Sequence, residues 1–158
     1  MQLSNNFSLA ELTHSDVAVR KSLDNEPSQA VVDNLAALCE QLLQPLRDLL
    51  GEPVIVTSGY RSQAVNDAVG GSIESYHMDG LAADIVVPGI PAAQVAEIAS
   101  NGCIGYDKII LEFNRWVHIQ LPRREQLARH QTWTARKVEG RTAYSPGLIT
   151  ERKHSRTA

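Results

Sequence analysis

A carboxylate set inside an apolar strand constrains this chain more than any other feature. The segment is Ala82-Ala83-Asp84-Ile85-Val86-Val87, stopped by Pro88-Gly89. Its apolar, β-branched character reads as a buried strand. An unpartnered Asp84 in such a strand would be costly, or would take up a proton. The fold must therefore bring it an Arg, a hydrogen-bonded network or a metal ion. Two of the five histidines stand in unusual settings: His77 in the loop before this strand, and His118 within the apolar run Trp116-Val117-His118-Ile119. Taken singly, such an imidazole is more often a satisfied core or surface residue than a ligand. Taken with Asp84, two neutral imidazoles and one carboxylate make a three-ligand set with a position open for water, the arrangement of catalytic zinc. A structural zinc site would be closed by four ligands, often thiolates. Cys39 and Cys103 lack that spacing and read as reduced, buried thiols.

The rest of the chain reads as alternating short elements. Ser8 and Glu11 form a capping-box signature, with Phe7 and Leu12 placed as a staple, for a helix over 7–13. After the break at 24–28, apolar residues recur at helical spacing from Val31 to Leu50, where Pro45 should kink the helix and Gly51 end it. Val54–Thr57 reads as a strand, followed by the turn Ser58-Gly59-Tyr60-Arg61-Ser62 and a Ser62-capped helix to Val69. A loop over 72–80 leads into the Asp84 strand, with Gly80 permitting the turn between them. Pro91 opens a helix to about Ser100. Strands over 109–113 and 116–121 flank a tight turn at Asn114-Arg115. A short helix is expected after Pro122, then a hairpin over 132–144 around Glu139-Gly140. The order predicts an α+β fold, a small, mainly antiparallel sheet flanked by helices. One domain is expected over 1–150, with a loose basic tail over 151–158.

Composition limits the function classes. The chain has 158 residues, 43% hydrophobic and 21% charged, which argues against disorder. No apolar run is long enough to span a membrane, and no secretory signal opens the chain. Residues 1–121 carry 6 basic and 15 acidic side chains, whereas residues 122–158 carry 9 basic and 3 acidic. The acidic part suits a cation, and the basic end suits anionic surfaces. The Arg-rich end lacks the aromatic interleaving or recognition-helix pattern of a nucleic-acid binder.

Hydrolysis at a metal-bound water needs a base. Glu112, closing an apolar strand six residues before His118, is the candidate. A two-residue loop would pair Glu112 with Val117 and turn it away from His118. A three-residue loop or a bulge would bring the two onto one face, opposite each other, and the catalytic reading requires the latter. Arg61 can bind a substrate carboxylate or polarise a carbonyl, or else form a surface salt bridge to Asp67. Tyr60 can stack or donate a hydrogen bond.

Ser75-Tyr76-His77-Met78-Asp79-Gly80-Leu81-Ala82-Ala83-Asp84, with Trp116-Val117-His118 and the Ser58–Ser62 turn, resembles the zinc D-alanyl-D-alanine carboxypeptidase family and its phage endolysin relatives. Those proteins share the Hedgehog/DD-peptidase fold. The resemblance runs from about Phe7 to Leu121. It implies one zinc ion held by His77, Asp84 and His118, and peptidoglycan stem peptides as substrate. Arg61, Ser75 and Tyr60 are the expected substrate-binding residues, with Glu112 and Arg61 catalytic. Many members carry the acidic base three residues before the last His, where this chain has Arg115; others carry a Glu six residues before, as at Glu112. The expected activity is a zinc peptidase, either a D,D-carboxypeptidase or an endolysin-type endopeptidase. Such an enzyme would be a monomer made in the cytoplasm without a signal peptide, acting on the wall after release. The alternative is a non-catalytic, zinc-stabilised wall-binding or phage structural module.

Overall fold

The computed structural model describes residues 1–150; the expected basic tail, 151–158, lies outside them. Strands β1 (Gln2–Ser4) and β2 (Phe7–Ser8) form a small antiparallel ribbon. Helix α1 (Leu9–Thr13) follows, opened by the expected capping box of Ser8 and Glu11. Helix α2 (Asp16–Lys21), capped by Ser15, was not anticipated; it is too short to show apolar periodicity. The long helix is divided into α3 (Gln29–Leu38), a π-helical turn (Cys39–Leu43) and α4 (Gln44–Leu50). Pro45 explains the division. It cannot donate to the carbonyl four residues back, and its ring would crowd that carbonyl, so the wider turn ahead of it relieves both problems.

Six strands make the main sheet: β3 (Ile55–Ser58), β4 (Ala82–Val86), β5 (Lys108–Glu112), β6 (Trp116–Gln120), β7 (Gln131–Val138) and β8 (Arg141–Pro146). Their order is β3-β4-β6-β5-β7-β8. Every pairing is antiparallel except β5 with β7. Helix α5 (Gln63–Ala68) follows β3, and α6 (Ala92–Gly102) connects β4 to β5. The short helix expected after Pro122 is absent, and the chain runs as an irregular segment to β7. The loop over 72–80 contains a 3₁₀ turn, Tyr76–Asp79, capped by Ser75.

Alternation along the strands divides the sheet into two faces. Ala83, Ile85, Ile109, Leu111, Val117 and Ile119 point into the core, where Leu12, Leu35, Leu38, Leu42 and Leu46 are also fully buried. Each such Val, Leu or Ile side chain contributes roughly 1.5–3 kcal/mol by leaving water. That face commits the even-numbered residues of β4, β5 and β6 to the other side.

Candidate metal centre

Strand register arranges the other face in three rows. The central row runs Ser58, Asp84, His118, Ile110 and Trp133. One neighbouring row runs Trp116, Glu112, Ala135 and Tyr144. The third runs Ala82, Gln120, Lys108 and Gln131. His77 reaches the central row from the 3₁₀ turn.

Asp84, His77 and His118 are 7%, 3% and 8% exposed. Asp84 Oδ1 lies 3.3 Å from His77 Nε2 and 3.1 Å from His118 Nδ1. The outward ring nitrogens fix the tautomers. His77 Nδ1 is 2.8 Å from the carbonyl of Gly59, which can only accept. His118 Nε2 is 2.7 Å from Gln120 Oε1. Gln120 Nε2 in turn donates to Asp107 Oδ2 at 2.9 Å, which settles the amide orientation. Both imidazoles therefore hold their protons on the outside when neutral. Two nitrogen lone pairs and a carboxylate oxygen converge within 4.8 Å of one another. Three buried groups facing one point could hold a metal ion, and this donor set suits zinc.

Electrostatics within the cluster keeps Asp84 charged. Burial pushes the Asp84 carboxyl up, but the His77 and His118 rings outweigh it and hold the group well below the usual carboxylate range. Burial lowers His77, partly opposed by Asp84. Burial also acts to lower His118, but its bond to Asp84 prevails and raises it. Arg61 Nη2 lies 3.5 Å from Asp84 Oδ2, while its Nε donates to Ser58 Oγ at 3.2 Å. The expected surface pair with Asp67 is not made; the guanidinium turns inward instead.

Local backbone explains this convergence. A Cβ on Gly59 would collide with the Leu12 carbonyl, which accepts from the Tyr60 N–H at 2.7 Å. Glycine alone lets the turn lie against α1 and still present its carbonyl to His77. The Arg61 N–H donates to the His77 carbonyl at 3.1 Å, tying the turn to the 3₁₀ segment. Gly80 ends that segment at φ +74°, a left-handed conformation that brings the chain into β4.

Glu112 shares a sheet face with His118. The turn after β5 has three residues, Phe113-Asn114-Arg115, as the catalytic reading of Glu112 required and not the two of the simple hairpin, because Glu112 pairs with Trp116. Phe113 and Asn114 take φ of 55° and 56° to close it. The residue directly opposite His118 is Ile110, so Glu112 lies one row away on the same face. Burial and the Asp84 charge raise the Glu112 pKa. The buried Trp116 indole N–H has no hydrogen-bond partner within bonding geometry among the described residues, yet lies near enough to Glu112 to favour its charged form.

Arg61, Ser75, His77, Asp84, Glu112 and His118 all line one open cleft of about 820 Å³. Tyr60 does not. With its backbone held to Leu12, its ring lines a separate depression beside His14 and Arg20. Sequence reasoning missed Gln120, Asp107, Arg129 and Tyr144. Arg129 Nη2 and Nε hold Asp107 at 2.7 and 3.0 Å. Tyr144 lines the cleft, its pKa raised by burial and by the charges of Glu112 and Asp84.

Comparison with known families gives the class of the chain. The family model described as Peptidase M15 matches residues 5–120, the span that holds all three candidate ligands and Glu112. The chain belongs to the peptidase M15 family. Membership makes it a metallopeptidase, a hydrolase of peptide bonds. Among curated proteins, none matches the chain. No helix in the described residues is long and apolar enough to cross a membrane.

Proposed function

We propose that this M15 member is a zinc-dependent peptidase that hydrolyses peptide bonds in the stem peptides of bacterial peptidoglycan. The observation that carries the reading is the juxtaposition of the buried His77–Asp84–His118 cluster and Glu112 on one face of an open cleft. His77 Nε2, His118 Nδ1 and Asp84 Oδ1 would hold one zinc ion, which when bound supplies Lewis-acid polarisation and a lowered water pKa. Glu112 takes the proton of the attacking water and passes it to the leaving amine. Its raised pKa brings it nearer to neutrality than an ordinary glutamate, which favours both transfers. Arg61, held by Ser58 and Asp84 on the cleft wall, steadies negative charge developing on the scissile carbonyl oxygen. Ser75 holds the His77 turn by accepting from the His77 N–H at 3.2 Å. The resemblance to wall-active peptidases supports peptidoglycan as the substrate.

Digestion of purified muropeptides followed by mass spectrometry tests this reading. Zinc-loaded protein should release a defined fragment whose mass names the bond, and chelator should abolish release. The Glu112→Gln variant should keep its zinc and lose roughly 10²–10⁴-fold in kcat. Intact muropeptides after prolonged digestion would refute peptidoglycan as the substrate, and a fully active Glu112→Gln variant would refute Glu112 as the base.

A further inference from the structure

We propose that Lys108 is the anchor for a carboxylate of the substrate, within about two residues of the bond that is cut. The inference rests on the peptidase reading and narrows its substrate to peptides with an acidic group near the scissile bond.

The argument begins with strand alternation. Lys108, Ile110 and Glu112 share the cleft face of β5. Ile110 lies in the row of Asp84 and His118. Glu112 is therefore one row to one side of the candidate ligands, and Lys108 one row to the other. At about 3.4 Å per strand residue, adjacent rows are separated by roughly 7 Å, which an extended peptide spans in about two residues. The cleft thus carries a proton-transferring acid at one end and a cation at the other, with the metal ligands between.

Pairing singles out Lys108 among the cleft cations. Arg61 is directed at Asp84, Arg123 at Asp79 and Arg129 at Asp107. Lys108 makes no ion pair among the described residues. Its ladder neighbours, Gln120 and Gln131, are neutral. Gln120 is already committed to His118 and Asp107. Burial and the Arg129 charge pull the Lys108 pKa below that of an ordinary lysine, with Asp107 opposing them. A half-buried cation without an ion pair is costly to hold, and a bound carboxylate would relieve that cost. The ammonium is a compact charge on a flexible stem, able to meet a carboxylate over a range of positions.

Two sources present this chemistry: the terminal carboxylate of a peptide trimmed from its end, or an acidic side chain in a peptide cut internally. Three probes separate them: N-acetyl-D-alanyl-D-alanine, its C-terminal amide, and an amide-capped peptide of equal length bearing a D-glutamate side chain. Binding is measured by titration calorimetry on the zinc-loaded full chain carrying Glu112→Gln, so that the probes survive. At least one acidic probe should bind about tenfold or more tightly than the neutral amide. Adding Lys108→Gln or Lys108→Met should each erase the preference, and Lys108→Arg should retain it. Preference for the terminal acid supports end-trimming, and preference for the side-chain acid supports internal cutting. Equal binding of acids and amide, no binding by any probe, or a preference that survives both neutral substitutions would overturn the assignment. The muropeptide digestion is independent of this result. Acid preference without muropeptide cleavage leaves Lys108 as a carboxylate anchor and removes peptidoglycan as the substrate; cleavage without acid preference does the reverse.

Discussion

His118 can offer Nδ1 to a metal only while Nε2 keeps its proton, and Gln120 is the group that keeps it there. Gln120 is itself oriented by Asp107, because a carboxylate can accept but not donate. The Gln120→Leu variant should therefore bind zinc about 10–100-fold more weakly, while His77, anchored on the Gly59 carbonyl, keeps its tautomer. Competition against a chromophoric chelator measures the first effect, and nitrogen-15 correlation spectra of the two rings measure the second. Unchanged affinity with an unchanged His118 ring would show that Gln120 does not position it. Asp84 could be read from the sequence because a carboxylate in an apolar strand demands a partner, and the two histidines were the partners available. Gln120 could not. A glutamine ending a strand looks like any edge residue until the register sets it beside an imidazole on one side and an acid on the other.

At the scale of elements, Asp107 governs how the segment after β6 lies against the sheet. Its carboxylate accepts from the Arg129 backbone N–H at 3.0 Å as well as from the guanidinium. Its own backbone accepts from Gln131 at 3.0 Å and donates to Gln120 at 2.8 Å. These bonds replace the helix expected after Pro122, since a helix there would withdraw Arg129 from the acid. The turn at 113–115 was hidden for another reason: its length follows from the Glu112–Trp116 pairing that flanks it, and Phe113 carries no turn signature. Burial pushes the Asp107 carboxyl up, but Arg129 and Gln120 prevail and bring it down to about 2. A carboxyl lowered on folding adds stability that is complete above pH 4 and is lost as pH falls through about 2. That contribution is on the order of 2 kcal/mol. Chemical denaturation of the Asp107→Asn variant between pH 4 and 2 should show a correspondingly shallower loss than the parent. Parallel pH profiles would show that the ion pair contributes no linkage.

Across the whole molecule, the sheet order places β4 and β6 side by side although 29 residues separate Val86 from Trp116. The candidate ligands come from β4, β6 and the 3₁₀ turn, so a bound ion would tie β6 to the 3₁₀ turn and β4, from which the chain separates it by a long connection. The family match ends at residue 120, whereas Tyr144 reaches the same cleft from β8, one of the two edge strands of the sheet. The general architecture was legible because helical spacing, β-branched runs and turn residues mark elements locally. The single parallel pairing, β5 with β7, was not, because no local signal records which strand a later strand will join. Ligand linkage gives the metal clip a measurable consequence. An ion held at about 100 times its Kd stabilises the folded chain by about 2.7 kcal/mol. For a chain of this size that corresponds to roughly 5–10 °C in Tm. Chelator should lower the unfolding temperature by that amount, and added zinc should restore it. A His77→Ala variant should start from a lower value and lose the response to zinc, because its remaining ligands no longer span all three segments. A chelator response of equal size in His77→Ala would place the ion elsewhere.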